Sequence, residues 1–225
     1  MSTPSTCGKG NPATILKVAV TGSAGSGKTV ACKRLEELGI RVISADVLAR
    51  QAVEPGSVAF EKIIDYFGKK VLTKRGTLDR KMLRRMIFND KAVRKTLEQF
   101  IHPEVMKLMH QEIAKAESDG ESVIAVEVPL LFEAGLEGFF DVTVNISVPY
   151  ELQVQRLMER DNVPYDEAEA LLKTQMPDDV KSKRATVVVK NTGSIEQMKK
   201  SVDFLYKNLS NIAEKRRKRL TVNPS

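Results

Sequence analysis

The run Gly22-Ser23-Ala24-Gly25-Ser26-Gly27-Lys28-Thr29 fits G-x-x-x-x-G-K-[ST], a spacing whose chemistry is the holding of phosphate. Its glycines let the backbone turn tightly and aim N–H groups inward. Those donors and the start of a following helix bind anionic oxygens. Lys28 is placed to reach the β- and γ-phosphates of a nucleotide triphosphate. The Thr29 hydroxyl is placed to ligate Mg2+, whose charge offsets that of a transferring phosphoryl group. Val30 completes the nucleotide-binding stretch.

A triphosphate site alone does not separate enzyme, switch and motor. The N-K-x-D motif by which GTPases read guanine is absent: "VKNTGS" (Val189 to Ser194) lacks the aspartate. The signature loop of ABC-type ATPases is also absent. What remains favours a small-molecule kinase, which needs an acceptor site facing the γ-phosphate and a lid against water. Asp46 ends "VISAD", where a strand gives way to a helix. It is either a general base for an attacking hydroxyl or a cap of that helix. Glu127 lies inside the apolar run "SVIAVEV", and Glu133 follows Pro129. A buried carboxylate needs a partner, either a metal ion with its waters or a cationic side chain. Arg156 and Arg160 share one helical face. They suit a lid closing on phosphates, or a solvated face beside Glu159 and Asp161.

The elements that position these residues are legible in the pattern. Short β-branched runs occur at Ile15–Val20, Ile40–Ser44, Ser122–Val128, Asp141–Ile146 and Thr186–Val189. Their nearly continuous apolar character suits strands buried on both faces of a parallel sheet, and the helical stretches between them make the chain an α/β doubly wound fold. Gly39 reads as a helix C-cap before the second strand. From Ser57 to Ser118 only helices and loops are expected: a substrate-binding lobe, or extra packing on the same core. Within it Asp79 is the expected N-cap of one helix, and Pro103 predicts a break or a new first turn.

Hydrophobic residues make up 42% of the 225 and charged residues 29%, which points to a soluble globular chain. No apolar run reaches the roughly 18–20 residues of a membrane span. The polar lead-in, residues 1–14, is expected to be disordered. Two cysteines, Cys7 and Cys32, argue against a disulfide framework and for a cytoplasmic location. Cys32, just behind the loop, is either redox-sensitive or a small buried side chain. His102 and His110 show no metal-ligand pattern. The net charge of +7 owes much to Lys215-Arg216-Arg217-Lys218-Arg219, within a basic tail at residues 210–225. That run is either the solvated end of a C-terminal helix, the favoured reading, or a surface for nucleic acid or an acidic membrane. Oligomeric state leaves no mark on the sequence.

Several of these pieces, in order, resemble the dephospho-CoA kinase family: "TGSAGSGKT", "SADVLARQAVEPGS", "GTLDRKMLRRMIF", "IHPEV", "VPLLFE", "QRLMERD" and "KNTGS". The resemblance runs from about Lys17 to about Leu209. It implies transfer of the ATP γ-phosphate to the ribose 3′-hydroxyl of dephospho-CoA, the last step of coenzyme A synthesis. It implies a P-loop kinase core with a five-stranded parallel sheet, a helical CoA-binding lobe at about 57–118 and a lid at about 150–180. By the same resemblance Asp46 is the base, and Arg156 the lid arginine that stabilises the transferring group. Thr21, beside the loop, is a substrate-binding residue together with Asp46, and Arg50, Arg80, Arg84 and His102 lie near the dephospho-CoA site. Asn191 and Gly193 lie near the adenine. Two departures stand out. Ser44-Ala45-Asp46 replaces a D-x-D, keeping the proposed base, and Ala185-Thr186 replaces Ala-Asp. The rival readings are a kinase for another small hydroxyl or a nucleoside monophosphate, and a nucleotide-binding module associated with nucleic acid through the basic tail.

Overall fold

The computed structural model describes residues 15–222. Five strands, β1 (Leu16–Thr21), β2 (Arg41–Ser44), β3 (Val123–Glu127), β4 (Val142–Ser147) and β5 (Val187–Lys190), make one sheet in the order β2-β3-β1-β4-β5. All pairings are parallel. Each expected strand is present within one residue of its expected bounds. The helices are α1 (Lys28–Glu37), α2 (Ala45–Gln51), α3 (Val58–Phe67), α4 (Arg80–Asn89), α5 (Lys91–Ser118), α6 (Tyr150–Asp161), α7 (Tyr165–Lys173), α8 (Asp178–Arg184) and α9 (Ile195–Val222).

The pleat divides the apolar side chains of β1 between two cores. Leu16, Val18 and Val20 pack with Leu35 of α1 and with Val202 and Leu209 of α9. Ala19 packs on the other face with Ile124, Val126, and Met109 and Ile113 of α5. Burial on both faces explains why the strands read as unbroken apolar runs. Pairing opposes Glu127 to Val20 and to Ser44, and Asn145 to Thr21. The carboxyl ends of β2, β3, β1 and β4 therefore meet where open α/β sheets bind ligands.

The insert carries a hydrophobic core of its own and is joined to the sheet core through α5. Phe60, Ile63, Phe67, Val71, Leu78 and Leu97 make a third core. Side chains start its helices: Ser57 accepts from the Phe60 N–H, Asp79 from Met82 and Asp90 from Ala92. The cap expected at Asp79 is present. The break expected at Pro103 is not, because α5 runs through it from Lys91 to Ser118. An interior proline costs about 3 kcal/mol. Here the helix is pinned on both sides of it, by Leu97 in the lobe core and by Met109 and Ile113 in the sheet core.

Helices α6 and α7 pack together around Val154, Leu157, Ala168 and Leu172, with Ala24 of the phosphate loop against them. Helix α9 starts with a reciprocal cap. The Ser194 hydroxyl accepts from the Gln197 N–H, and the Gln197 side chain accepts from the Ser194 N–H. The helix then continues past Leu209, with Ala213 buried in the main core. The boundary expected at residue 210 thus falls inside α9, and the basic run sits on its last turns. There Arg216 pairs with Asp141 at 2.8 Å and Lys218 with Glu214 at 2.6 Å. Cations at a helix C-terminus also meet the negative end of its dipole. The expected disordered lead-in lies outside the described residues. Thr186, where the family resemblance implies an acid, exchanges hydrogen bonds with Thr143: its N–H donates to the Thr143 hydroxyl at 2.9 Å.

Candidate active site

The loop after β1 is shaped by close backbone approach. Gly22, Gly25 and Gly27 have φ of 148°, 75° and 91°. A Cβ on Gly22 would lie 2.6 Å from the Ile146 carbonyl, and one on Gly27 would run into the Asn191 amide. Helix α1 starts at Lys28 with Gly27 as N-cap, no capping side chain and no acid in its first turn. Its first N–H groups are left for an anion, at the positive end of the dipole. Lys28 Nζ donates to the Gly22 carbonyl at 2.7 Å and to the Ser23 carbonyl at 3.1 Å. Burial lowers its pKa to about 8, with Lys181 pushing further down and Glu127 and Asp46 pulling up. The Ala24 N–H donates to Gln175 at 2.9 Å. The buried Ser26 hydroxyl has no hydrogen-bond partner among the described residues. Thr29 is exposed on the first turn, and Val30 packs against the main core.

Asp46 occupies the exposed first turn of α2, whose N-cap is Ser44 without a side-chain bond. Asp46 does not cap the helix, so the capping alternative falls. Its charge is felt at both Lys28 and Glu127. Glu127 ends β3 half-buried. Burial pushes its carboxyl up and Asp46 adds to the rise, against the pull of Lys28. Glu133 has a cationic partner, Lys181 at 2.9 Å, and accepts from the Met176 N–H. Among the described residues no group of three or more His, Cys, Asp or Glu side chains could hold a metal ion alone. The uncapped start of α1 and the exposed Thr29 beside it fit an ion carried in on a triphosphate. Cys32 is buried, and burial and Glu127 push its thiol up to about 12; of the two readings it is the small buried side chain.

On the other side of the loop, Arg156 donates to the Gly25 carbonyl at 3.4 Å and to the Asn191 carbonyl at 3.3 Å. Asn191 in turn donates its side-chain amide to the Ser26 carbonyl at 2.8 Å. Gly25, Gly27, Val30, Arg156, Asn191 and Gly193 line a cavity of about 210 Å³. Arg160, the other arginine of that face, pairs with Asp161 in solvent. The solvated reading holds for it and not for Arg156.

A larger cavity, about 680 Å³, opens in the helical lobe. Arg80, Arg84 and His102 line it over a floor that includes Leu83, Leu97 and Met106. Arg50 is exposed in the last turn of α2 and does not line this cavity. Thr21 is wholly buried and gives its hydroxyl to the Pro129 carbonyl at 3.3 Å, so it braces the loop from below. Sequence reasoning missed Arg94, which also lines the larger cavity, and Lys181, which is wholly buried. Lys181 carries no pattern of its own, since "DDVKSKR" reads as a solvated face.

A family model described as CoaE, dephospho-CoA kinase, matches residues 16–197. The dephospho-CoA kinase of Bacillus licheniformis is 38% identical over 197 residues, 88% of this chain and 98% of that protein. The one from Carboxydothermus hydrogenoformans is 39% identical over 185 residues, 82% and 90% of the two chains. The solved dephospho-CoA kinase from Campylobacter jejuni is similar in fold, with TM-score 0.67 and 30% identity over 87% of this chain and 97% of its own. TT1252 from Thermus thermophilus matches with TM-score 0.76 and 34% identity, over 87% and 98%. With that family model over most of its length and the phosphate loop, lobe and sheet order all present, this chain belongs to the dephospho-CoA kinase family.

Proposed function

We propose that the protein transfers the γ-phosphoryl group of ATP to the ribose 3′-hydroxyl of dephospho-CoA, releasing coenzyme A and ADP in the last step of coenzyme A synthesis. The observation that carries this reading is the meeting of Asp46, Glu127 and Lys28 at one end of the sheet in a chain of this family. The ATP phosphates lie along Gly22 to Thr29, with the adenine toward Asn191 and Gly193. Thr29 would hold Mg2+, which would supply charge that offsets the developing negative charge. Lys28 leaves the Gly22 and Ser23 carbonyls for the phosphates. Asp46 accepts the proton of the attacking 3′-hydroxyl. Arg156, on the lid hairpin, neutralises phosphate charge when the hairpin closes, and closure removes water that would hydrolyse ATP. The rest of dephospho-CoA extends into the lobe cavity, where Arg80, Arg84 and His102 offer charge above an apolar floor. Catalysis is chiefly positioning and charge stabilisation.

A cytoplasmic location fits this chemistry. Among the described residues no helix is long and apolar enough to cross a membrane. The test is ADP release measured with dephospho-CoA against adenosine, AMP and shikimate. Release dependent on dephospho-CoA alone is expected. Release driven by one of the others instead would replace the reading with a different small-molecule kinase.

A further inference from the structure

Lys181 lies on α8 among polar residues, yet its side chain is wholly buried. Its Nζ pairs with Glu133 at 2.9 Å and donates to the Pro129 carbonyl at 3.3 Å. That same carbonyl accepts from Thr21, the residue before the phosphate loop. Glu133 also accepts from the Met176 N–H, and Gln175 accepts from the Ala24 N–H within the loop, both at 2.9 Å. Three segments are thus tied together: the loop at 21–24, the turn after β3 at 129–133, and the stretch from α7 into α8 at 175–181.

Stability is a poor explanation for this pair. Removing a cation from water costs several kcal/mol, and apolar side chains of similar volume often replace a buried pair without loss. What the pair does is geometric. It fixes the far end of the α6–α7 hairpin, whose near end leaves β4 and whose first helix carries Arg156. We propose that Lys181 is a positioning residue for phosphoryl transfer, holding the base of the hairpin in register with the phosphate loop through Glu133 and Pro129. The idea rests on the kinase reading above.

The test compares the wild-type chain with Lys181→Met and with Lys181→Met/Glu133→Gln. The single variant leaves a carboxylate without its cation and is expected to melt at a lower temperature. The double variant removes that imbalance and is expected to melt close to wild type. In the double variant kcat is expected to fall about tenfold to 100-fold, since small misplacements near transferring groups have effects of that size. KM for ATP should change by less than about threefold. ATP affinity, measured calorimetrically without acceptor, should stay within about threefold of wild type. Wild-type kcat in the double variant would make Lys181 a structural filler and overturn the proposal, as would a fall in ATP affinity as large as the fall in kcat. The ATP titration needs no acceptor. A wild-type protein that binds ATP but ignores dephospho-CoA would therefore fault the functional reading and leave this measurement standing.

Discussion

The phosphate loop and the lobe cavity, the two proposed binding regions, are built by different means. The loop is backbone: glycines at positive φ, an uncapped helix start, and the Ser26 and Gly25 carbonyls braced by Asn191 and Arg156. The cavity is side chains: Arg80, Arg84 and His102 spaced along α4 and α5 over aliphatic residues. A backbone site tolerates almost no added atoms but needs few particular side chains. A side-chain site spreads its affinity over several groups, each of which can be lost separately. The two regions should therefore fail differently, abruptly in one and by degrees in the other.

The sharpest break is Gly22→Ala. The new methyl would meet the Ile146 carbonyl at 2.6 Å, in a conformation that L-residues rarely adopt. ATP affinity is expected to fall about 100-fold or more, equivalent to about 2.8 kcal/mol or more. Isothermal titration reads it, and near-wild-type affinity would show that the loop is less tightly framed. Arg84→Ala should act on the other region alone. KM for dephospho-CoA should rise about tenfold, as for one charge-assisted hydrogen bond, with ATP affinity unchanged. A fall in ATP affinity instead would mean that the regions are not separable.

The mildest probe is pH. Burial lowers the Lys28 pKa to about 8, and in the proposed binding mode its charge meets the phosphates. Affinity for ATP should be level below pH 8 and fall above it, by at most about tenfold per pH unit. The unfolded chain binds its Lys28 proton up to about 10.5, so between 8 and 10.5 the native state holds fewer protons. In that window this residue raises stability as pH rises, while ATP binding weakens. Opposite slopes for melting and binding would be a signature of Lys28 that lobe substitutions such as Arg84→Ala should leave in place.

The same division explains what was legible beforehand. The loop, β1 and α1 are contiguous, so spacing and periodicity alone expose them. Asp46 was visible as a carboxylate at a strand end, and the structure removed its rival role as a cap. The lobe was visible only as a stretch without strands. Its cavity depends on how α4 lies against α5, which no local pattern encodes. Pro103 misled for a related reason, because a local rule was overridden by anchors on two separate cores. Lys181 was invisible because nothing in "DDVKSKR" marks which charge turns inward. Its burial follows from α8 packing on β4 and from the placement of Glu133.

The central claim is that Asp46 takes the proton from a hydroxyl placed before a phosphate held by the loop. The direct measurement is single-turnover formation of coenzyme A from ATP and dephospho-CoA by wild type and Asp46→Asn, with ATP affinity determined alongside. The account predicts a loss of about 100-fold to 10,000-fold in the transfer step, the range for a general base, with ATP bound as before. Transfer at the wild-type rate by Asp46→Asn would contradict it.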